Sequence, residues 1–143
     1  MERVAVKYLM DTAPWINAVT LPHSVPGPIR DLMETNGPVG LCSVSLLEAA
    51  ILHRLGRLQL RATLPEFFAA AVAANLQLLE LTPAIAAKTN ELSGDFQGDP
   101  FDRAITATAA ILHLTLITTD AAIRDAKVCE VEYYPFRLSR KQT

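Results

Sequence analysis

The sequence has few of the residues from which disulfide frameworks and zinc sites are built. Its 143 residues include two cysteines, Cys42 and Cys129, and three histidines. Both cysteines lie in apolar, strand-like segments, and the histidines do not provide the His-x-x-x-His spacing of a zinc site. These counts exclude a disulfide-stabilised or zinc-organised domain. We expect both thiols to stay reduced in the core of a cytoplasmic protein.

Long apolar runs and a strong net charge are also missing. No apolar stretch reaches the ~18 residues that a membrane span needs, and the first residues, which lead directly into a short strand, are unlike a signal peptide. We therefore expect a soluble protein without membrane contacts. The formal net charge of −2 gives no overall attraction to nucleic acid. Any RNA binding must then depend on a local basic patch or on bound cations.

The sequence does contain enough apolar residues for one substantial core. Half of the residues are apolar and 20% are charged, and a chain of this length usually forms one domain. We predict a single domain over residues 1–143, in which the polar, basic segment at about 137–143 is a flexible tail. The high apolar content would also suit an oligomer.

Short apolar runs alternate with helical stretches along the chain. This pattern is typical of parallel strands that are covered on both faces and joined by crossover helices. Thr82-Pro83 and Asp99-Pro100 each place a capping side chain before a first-turn proline, which marks two helix starts. The sequence predicts an α/β fold with a central, mainly parallel sheet of about five strands. The predicted strands are Val4–Met10, Val39–Cys42, Leu78–Leu81, Leu114–Thr118 and Val128–Tyr133.

Four acidic residues lie at strand ends or near helix starts. Asp11 follows VKYLM, Glu48 lies in SVSLLEAAIL, Asp102 lies in GDPFDRAITATAA, and Asp120 follows LTLITT. An α/β fold brings such positions together at one edge of its sheet. Helix capping alone could explain all of them except Glu48. No other charged residue lies in its apolar run, so this carboxylate needs a partner.

Carboxylates that converge at a sheet edge must be stabilised. Two bare carboxylates ~4 Å apart repel by about 4 kcal/mol at an effective dielectric constant near 20. Asp102 also shares a helix face with Ile105, Thr106 and Ala109, which predicts partial burial. Protonation, a basic side chain or a divalent cation could offset the repulsion. An all-oxygen set of ligands suits Mg²⁺ or Mn²⁺, which favours metal-dependent hydrolysis of a phosphodiester.

Taken in order, these motifs match a known pattern. The succession LMDT, SVSLLEAAILHRLGRLQL, GDPFDRAITATAA and LITTDAAIR resembles the PIN-domain ribonucleases, in particular the VapC toxins of bacterial toxin–antitoxin pairs. The resemblance runs from Tyr8 to about Arg124. Two features depart from the pattern: Ala13-Pro14-Trp15 after the first motif, and Leu47 where an aromatic residue often precedes the glutamate. Both concern the fit of the substrate more than metal binding.

The resemblance implies a PIN-like three-layer α/β/α sandwich and a toxin that is an Mg²⁺- or Mn²⁺-dependent endoribonuclease, in which a metal-activated water hydrolyses the phosphodiester bond. The implied partners are an RNA substrate such as tRNA or ribosomal RNA, a cognate antitoxin that neutralises the toxin, and a second copy in a homodimer. The implied catalytic residues and metal ligands are Asp11, Glu48, Asp102 and Asp120, with Asp99, Thr12 and Thr119 as auxiliary residues.

Several arginines are candidates for contacts with RNA phosphates or with an acidic partner segment. Solvated positions at the end of a helix would explain Arg54 and Arg57 equally well. Trp15 could stack on a base, but a lone tryptophan more often packs in a core. The candidate contact residues are Arg54, Arg57, Arg61 and Arg103.

Two other phosphate-handling folds fit less well, and one alternative function stays open. A receiver domain has paired acids after its first strand and a haloacid-dehalogenase-type phosphatase has Asp-x-Asp there, whereas this chain reads Asp11-Thr12-Ala13. The open alternative is a catalytically weak PIN-fold module that binds RNA or an antitoxin. Metal affinity discriminates the two, because Asp102→Asn should weaken Mn²⁺ binding only in a nuclease.

Overall fold

A computed structural model of the protein describes residues 6–72, 75–92, 96 and 98–136. The predicted tail and the start of the predicted first strand lie outside these ranges. None of the helices within them is long and apolar enough to cross a membrane. The strands are β1 (Tyr8–Met10), β2 (Val39–Cys42), β3 (Leu76–Leu79), β4 (Thr115–Thr118) and β5 (Val131–Tyr133). The α-helices are α1 (Thr12–Thr20), α2 (Gly27–Thr35), α3 (Ser43–Arg54), α4 (Leu64–Ala71), α5 (Pro83–Glu91), α6 (Pro100–Leu112) and α7 (Ala121–Ala126).

The five strands form one parallel sheet in the order β3-β2-β1-β4-β5. All of their carboxyl ends therefore lie at the same edge. β2 and then β3 extend the sheet on one side of β1, and β4 and then β5 extend it on the other side. The switch point between β1 and β4 is where open α/β sheets bind their ligands. Asp11 directly follows β1, and Asp120 lies two residues beyond β4.

Both faces of the sheet are covered, which explains why its strands are apolar throughout. On one face Leu9 and Leu116 pack with apolar residues of α5, α6 and α7. On the other, Met10 and Leu41 pack with residues of α1, α3 and α4, while Ile117 lies in a smaller cluster beneath α2. Successive strand side chains point to opposite faces. The predicted three-layer sandwich is confirmed.

Several strand bounds differ from the sequence-based prediction. β5 begins at Val131 and not at Val128, β4 begins one residue after the predicted Leu114, and the described residues before Tyr8 are not part of β1. The third strand is Leu76–Leu79 and not Leu78–Leu81, because Val39–Cys42 pairs with the earlier residues. Leu81 is 49% exposed, outside the strand. Between Thr20 and Pro38 the chain forms a 3₁₀ turn, Pro22–Ser24, and the nine-residue α2.

Candidate functional site

Asp11 lies where β1 meets α1 and is only 6% exposed. One carboxylate oxygen, Oδ1, accepts a hydrogen bond of 2.9 Å from the backbone N–H of Thr12, so the residue caps α1 as predicted. The other, Oδ2, accepts one of 2.8 Å from the hydroxyl of Thr118 at the end of β4. The backbone N–H of Asp11 in turn donates to the carbonyl of Ile117. The carboxylate is therefore fixed by both strands of the switch point.

The protonation of Asp11 reflects this buried position. Burial raises the pKa of the carboxyl group, and the bonds from Thr118 and Thr12 offset part of that rise. The nearby charges of Asp120 and Asp99 raise the pKa further. Protonation or a nearby cation therefore stabilises this carboxyl group in its buried position.

Glu48 lies in the middle of α3 with its side chain half-buried. Within the described part of the chain, its Oε1 is buried and has no hydrogen-bond partner. Burial raises the pKa of this carboxyl group, the Thr12 hydroxyl offsets part of the effect, and the charges of Asp11 and Asp99 add to it. Buried polar atoms are nearly always satisfied, so an unpartnered carboxylate oxygen indicates a missing donor or cation.

Asp102 lies in the first turn of α6, and its backbone N–H donates to Asp99 Oδ1 over 2.8 Å. Ile105, Thr106 and Ala109 on the same helix face are buried, as predicted. Burial and then the charges of other acids, Asp99 first, raise the pKa of Asp102 to about 7. Without a cation, the carboxyl group is therefore partly protonated near neutral pH.

Asp120 and Asp99 are both helix caps at the same edge. Asp120 Oδ1 accepts from the backbone N–H of Ala122 over 2.8 Å, and Asp99 is exposed at the start of α6. Their charges nevertheless raise the pKa of Asp102 and Asp11. The charges of Asp99, Asp11, Glu48 and Asp120 thus all act on Asp102.

The hydroxyl that supports Asp11 belongs to Thr118, which the sequence did not single out. Thr118 Oγ1 also accepts a hydrogen bond from the backbone N–H of Asp120, at 3.0 Å. The predicted auxiliary residue Thr119 makes no side-chain hydrogen bond among the described residues. A second unpredicted hydroxyl, Ser45 Oγ, lies 2.8 Å from Thr12 Oγ1. Thr118 was identifiable only from the alternation of strand side chains.

Gly98, directly before the α6 cap, is also part of the site. A Cβ atom at this position would lie 2.8 Å from Cβ of Asp102 and 2.7 Å from Cζ of Phe96, closer than real contacts allow. Only glycine therefore leaves Asp102 where it is. The segment GDPFDR contained this signal, but the contact is visible only in three dimensions.

Arg103 differs from the other predicted contact residues. Its guanidinium donates to the carbonyls of Phe96 at 2.8 Å and Thr89 at 2.7 Å, so it ties α5 to α6 within the fold. The other three, Arg54, Arg57 and Arg61, are exposed.

Trp15 is a core residue. It is 1% exposed and packs against Phe67 and Phe68, with ring centroids 5.7 and 6.5 Å away. Its ring is therefore not available to stack on a base, in agreement with the packing interpretation.

The acidic side chains supply the oxygen ligands that a hard divalent cation prefers, but they do not form a closed set of ligands. Within residues 6–72, 75–92, 96 and 98–136, no three Asp, Glu, His or Cys side chains are arranged to hold a metal ion together. Mg²⁺ usually keeps several waters and binds through one or two carboxylates and substrate phosphate. The unpartnered Glu48 Oε1 and the raised pKa values of Asp11 and Asp102 fit such an open site.

Comparison with known proteins agrees with the fold. The VapBC2 complex from Rickettsia felis, bound to a promoter DNA fragment, is similar with a TM-score of 0.68 and 15% identity, over 88% of this chain and 97% of that one. DNA-bound VapBC from Salmonella typhimurium is similar with a TM-score of 0.68 and 19% identity, over 90% of this chain and 98% of that one. A toxin–antitoxin complex from Klebsiella pneumoniae is similar with a TM-score of 0.56 and 17% identity, over 80% of this chain and 87% of that one.

Sequence comparisons settle the family. A search of curated protein sequences gave no significant match. The family model of the PIN domain matches residues 8–128, which is most of the chain and contains every acid from Asp11 to Asp120 described above. The chain belongs to the PIN-domain family.

Proposed function

We propose that the protein is an Mg²⁺- or Mn²⁺-dependent endoribonuclease and the VapC-type toxin of a toxin–antitoxin pair. The observation that carries this proposal is the buried, unpartnered Oε1 of Glu48, within electrostatic range of Asp11 and Asp102 at the switch point of the sheet. Membership of the PIN family and the similarity to VapBC complexes support it.

The residues proposed to hold the cation are Asp11, Glu48, Asp102 and Asp120. When bound, such a cation lowers the pKa of a water and neutralises charge that develops on a phosphate. Thr118 and the Thr12 N–H fix the orientation of the Asp11 carboxylate, which reduces the reorganisation that ligand binding requires. Asp99 caps α6 and thereby fixes the position of Asp102.

The test is cleavage of total cellular RNA by purified protein with Mg²⁺ or Mn²⁺, beside an EDTA control. Asp102→Asn should abolish the discrete fragments, and Asp31→Asn should retain them, because Asp31 is exposed on α2. Folded, partner-free protein that leaves all RNA intact would contradict the nuclease and favour the binding module. Mn²⁺ affinity that is equal in both variants would have the same meaning.

The partners are also part of the proposal. Leu47 and Leu55, at 57% and 54% exposure, give the α3 region an apolar surface for a second copy or an antitoxin. We propose that the protein is a cytoplasmic homodimer, which light scattering would test, and that a small cognate antitoxin protein blocks its activity. Tight co-purification without inhibition would count against the antitoxin role, and a monomeric mass would count against the dimer.

A further inference from the structure

A concave surface lies at the amino-terminal edge of the sheet, opposite the acids. This basic pocket has a volume of about 750 Å³, which exceeds the size of one nucleotide. Residues just before β4 and β5 line it, together with parts of α5, α6 and α7. Its polar lining residues are Lys88, His113, Arg124, Lys127 and Glu130. The proposed activity uses none of them.

The charged side chains of this basic pocket are mostly cationic, whereas the net charge of the whole chain is negative. Of the described lining side chains, three are cationic at neutral pH and one, Glu130, is anionic. The carboxyl ends of α6 and α7 lie here too and together add about one negative charge. The pocket is therefore basic because of its lysines and not because of its overall charge balance. Among the described residues, Lys88 and Lys127 have no ion-pair partner, whereas Arg124 pairs with Asp125.

Two lining residues adopt a backbone conformation that is unusual for their type. His113 and Lys127 have φ angles of 56° and 54°, in the left-handed region that glycine usually occupies at a helix end. This conformation is costly for a residue with a Cβ. At both positions the chain nevertheless places a nitrogen-bearing side chain at the same pocket. Helix termination alone would be served better by glycine.

The helix α7 connects the basic pocket to the acids. Its cap Asp120 lies at the acidic edge, and Lys127, which follows its last residue, lines the pocket. At 1.5 Å per residue these two positions are separated by about 10 Å. Successive nucleotides of one strand rise about 3.4 Å along a duplex axis, so about three nucleotides of RNA span that distance. One strand can therefore reach both places.

From this arrangement we propose that the basic pocket is a second RNA subsite, which holds an unpaired nucleotide a few residues from the scissile bond. The inference rests on the proposed ribonuclease activity. Lys88 and Lys127 bind phosphate, and the base packs against apolar residues of the lining, which include Ala110. RNA recognition commonly uses such splayed-out bases. An acidic peptide is the weaker occupant, because it does not explain the connection to the acids through α7.

The experiment measures binding of a fluorescein-labelled, single-stranded RNA 12-mer by anisotropy in EDTA, where cleavage is absent. Lys88→Gln combined with Lys127→Asn should weaken binding roughly tenfold and lower the salt-dependence slope by about 1.4, since two phosphate contacts are lost. Asparagine suits the left-handed backbone. The matched control Lys88→Arg with Lys127→Arg keeps the charge and should bind like the parent protein.

A second variant tests the pocket itself. Ala110→Phe adds a large apolar side chain to the pocket lining without a change of charge and should also weaken binding. Circular dichroism checks that the variant is folded. If only the lysine variant weakens binding, the surface is a general basic patch and the proposal is wrong. If a labelled Glu/Leu peptide binds through the lysines and RNA does not, the occupant is a protein segment.

Cleavage assays separate this inference from the proposed function. In Mg²⁺, the lysine variant should raise KM and leave kcat unchanged. RNA cleavage with an unaltered KM would overturn the subsite alone. Pocket-dependent RNA binding by a protein that cleaves nothing would overturn the nuclease and leave the subsite as the RNA-binding surface.

Discussion

Thr118 donates a 2.8 Å hydrogen bond to the carboxylate of Asp11, which is 107 positions earlier in the chain. The bond joins the ends of β1 and β4 at the switch point of the sheet. It also lowers the pKa of an acid that burial raises. The Thr118 hydroxyl thus joins two strands of the sheet and also affects the ionisation of a proposed metal ligand.

Thr118→Val keeps the shape of the side chain and removes this bond. We expect a loss of about 1–2 kcal/mol in the free energy of unfolding, since a buried carboxylate oxygen loses its donor. The acidic limb of the pH–rate profile should move to higher pH, because the Asp11 carboxylate becomes harder to ionise. Urea unfolding and RNA cleavage across pH measure both effects. Thr119→Val should have the smaller effect, and equal effects would show that the bond is unimportant.

Without a divalent cation, stability should fall between pH 4 and pH 8. Burial and like charges raise the pKa of Asp102 to about 7 and also raise those of Asp11 and Glu48. The folded state then binds more protons than the unfolded state, whose aspartates titrate near 3.9. Stability from these groups is complete below that pH and decreases as pH rises through the folded pKa. Melting temperatures in EDTA at several pH values test this.

Asp102→Asn should flatten that pH dependence and raise the melting temperature at pH 8 in EDTA. Mn²⁺ should stabilise the parent protein strongly at pH 8 and this variant weakly, because one proposed ligand is gone. Asp31→Asn, at an exposed position on α2, should behave like the parent in both respects. A variant that is less stable than the parent in EDTA would argue against electrostatic strain at the site.

The sheet and its order of elements were predictable because apolar strands and capped helices carry local signals. The register of β3 was not, since LQLLEL offers two placements and only pairing with Val39–Cys42 decides between them. The choice between Thr118 and Thr119 depends on which face of β4 points to Asp11. Arg103 required the three-dimensional positions of the carbonyls that it binds. The acids could be proposed from the sequence because their positions already marked one sheet edge.

Glu48→Gln separates chemistry from stability. Its Oε1 is buried without a partner in the described structure, so removal of the charge should leave the unfolding free energy in EDTA unchanged or higher. RNA cleavage should fall by at least about 10- to 100-fold, because changes of residues that only support a metal's ligands already cost that much. Glu91→Gln, exposed at the end of α5, is the matched control. Unfolding of the variant together with loss of activity would indicate a structural role for the carboxylate.

Gly98→Ala should damage the site through the position of Asp102. The added Cβ would lie 2.8 Å from Cβ of Asp102, so the backbone at residue 98 or the start of α6 is expected to shift. We expect a destabilisation of about 1–3 kcal/mol from the overpacking. Mn²⁺ affinity and RNA cleavage should decrease by more than this loss explains at temperatures where the variant is fully folded. Gly27→Ala is the control, because a Cβ there meets nothing within 4 Å. Full activity in Gly98→Ala would show that Asp102 tolerates displacement and is not a precisely placed ligand.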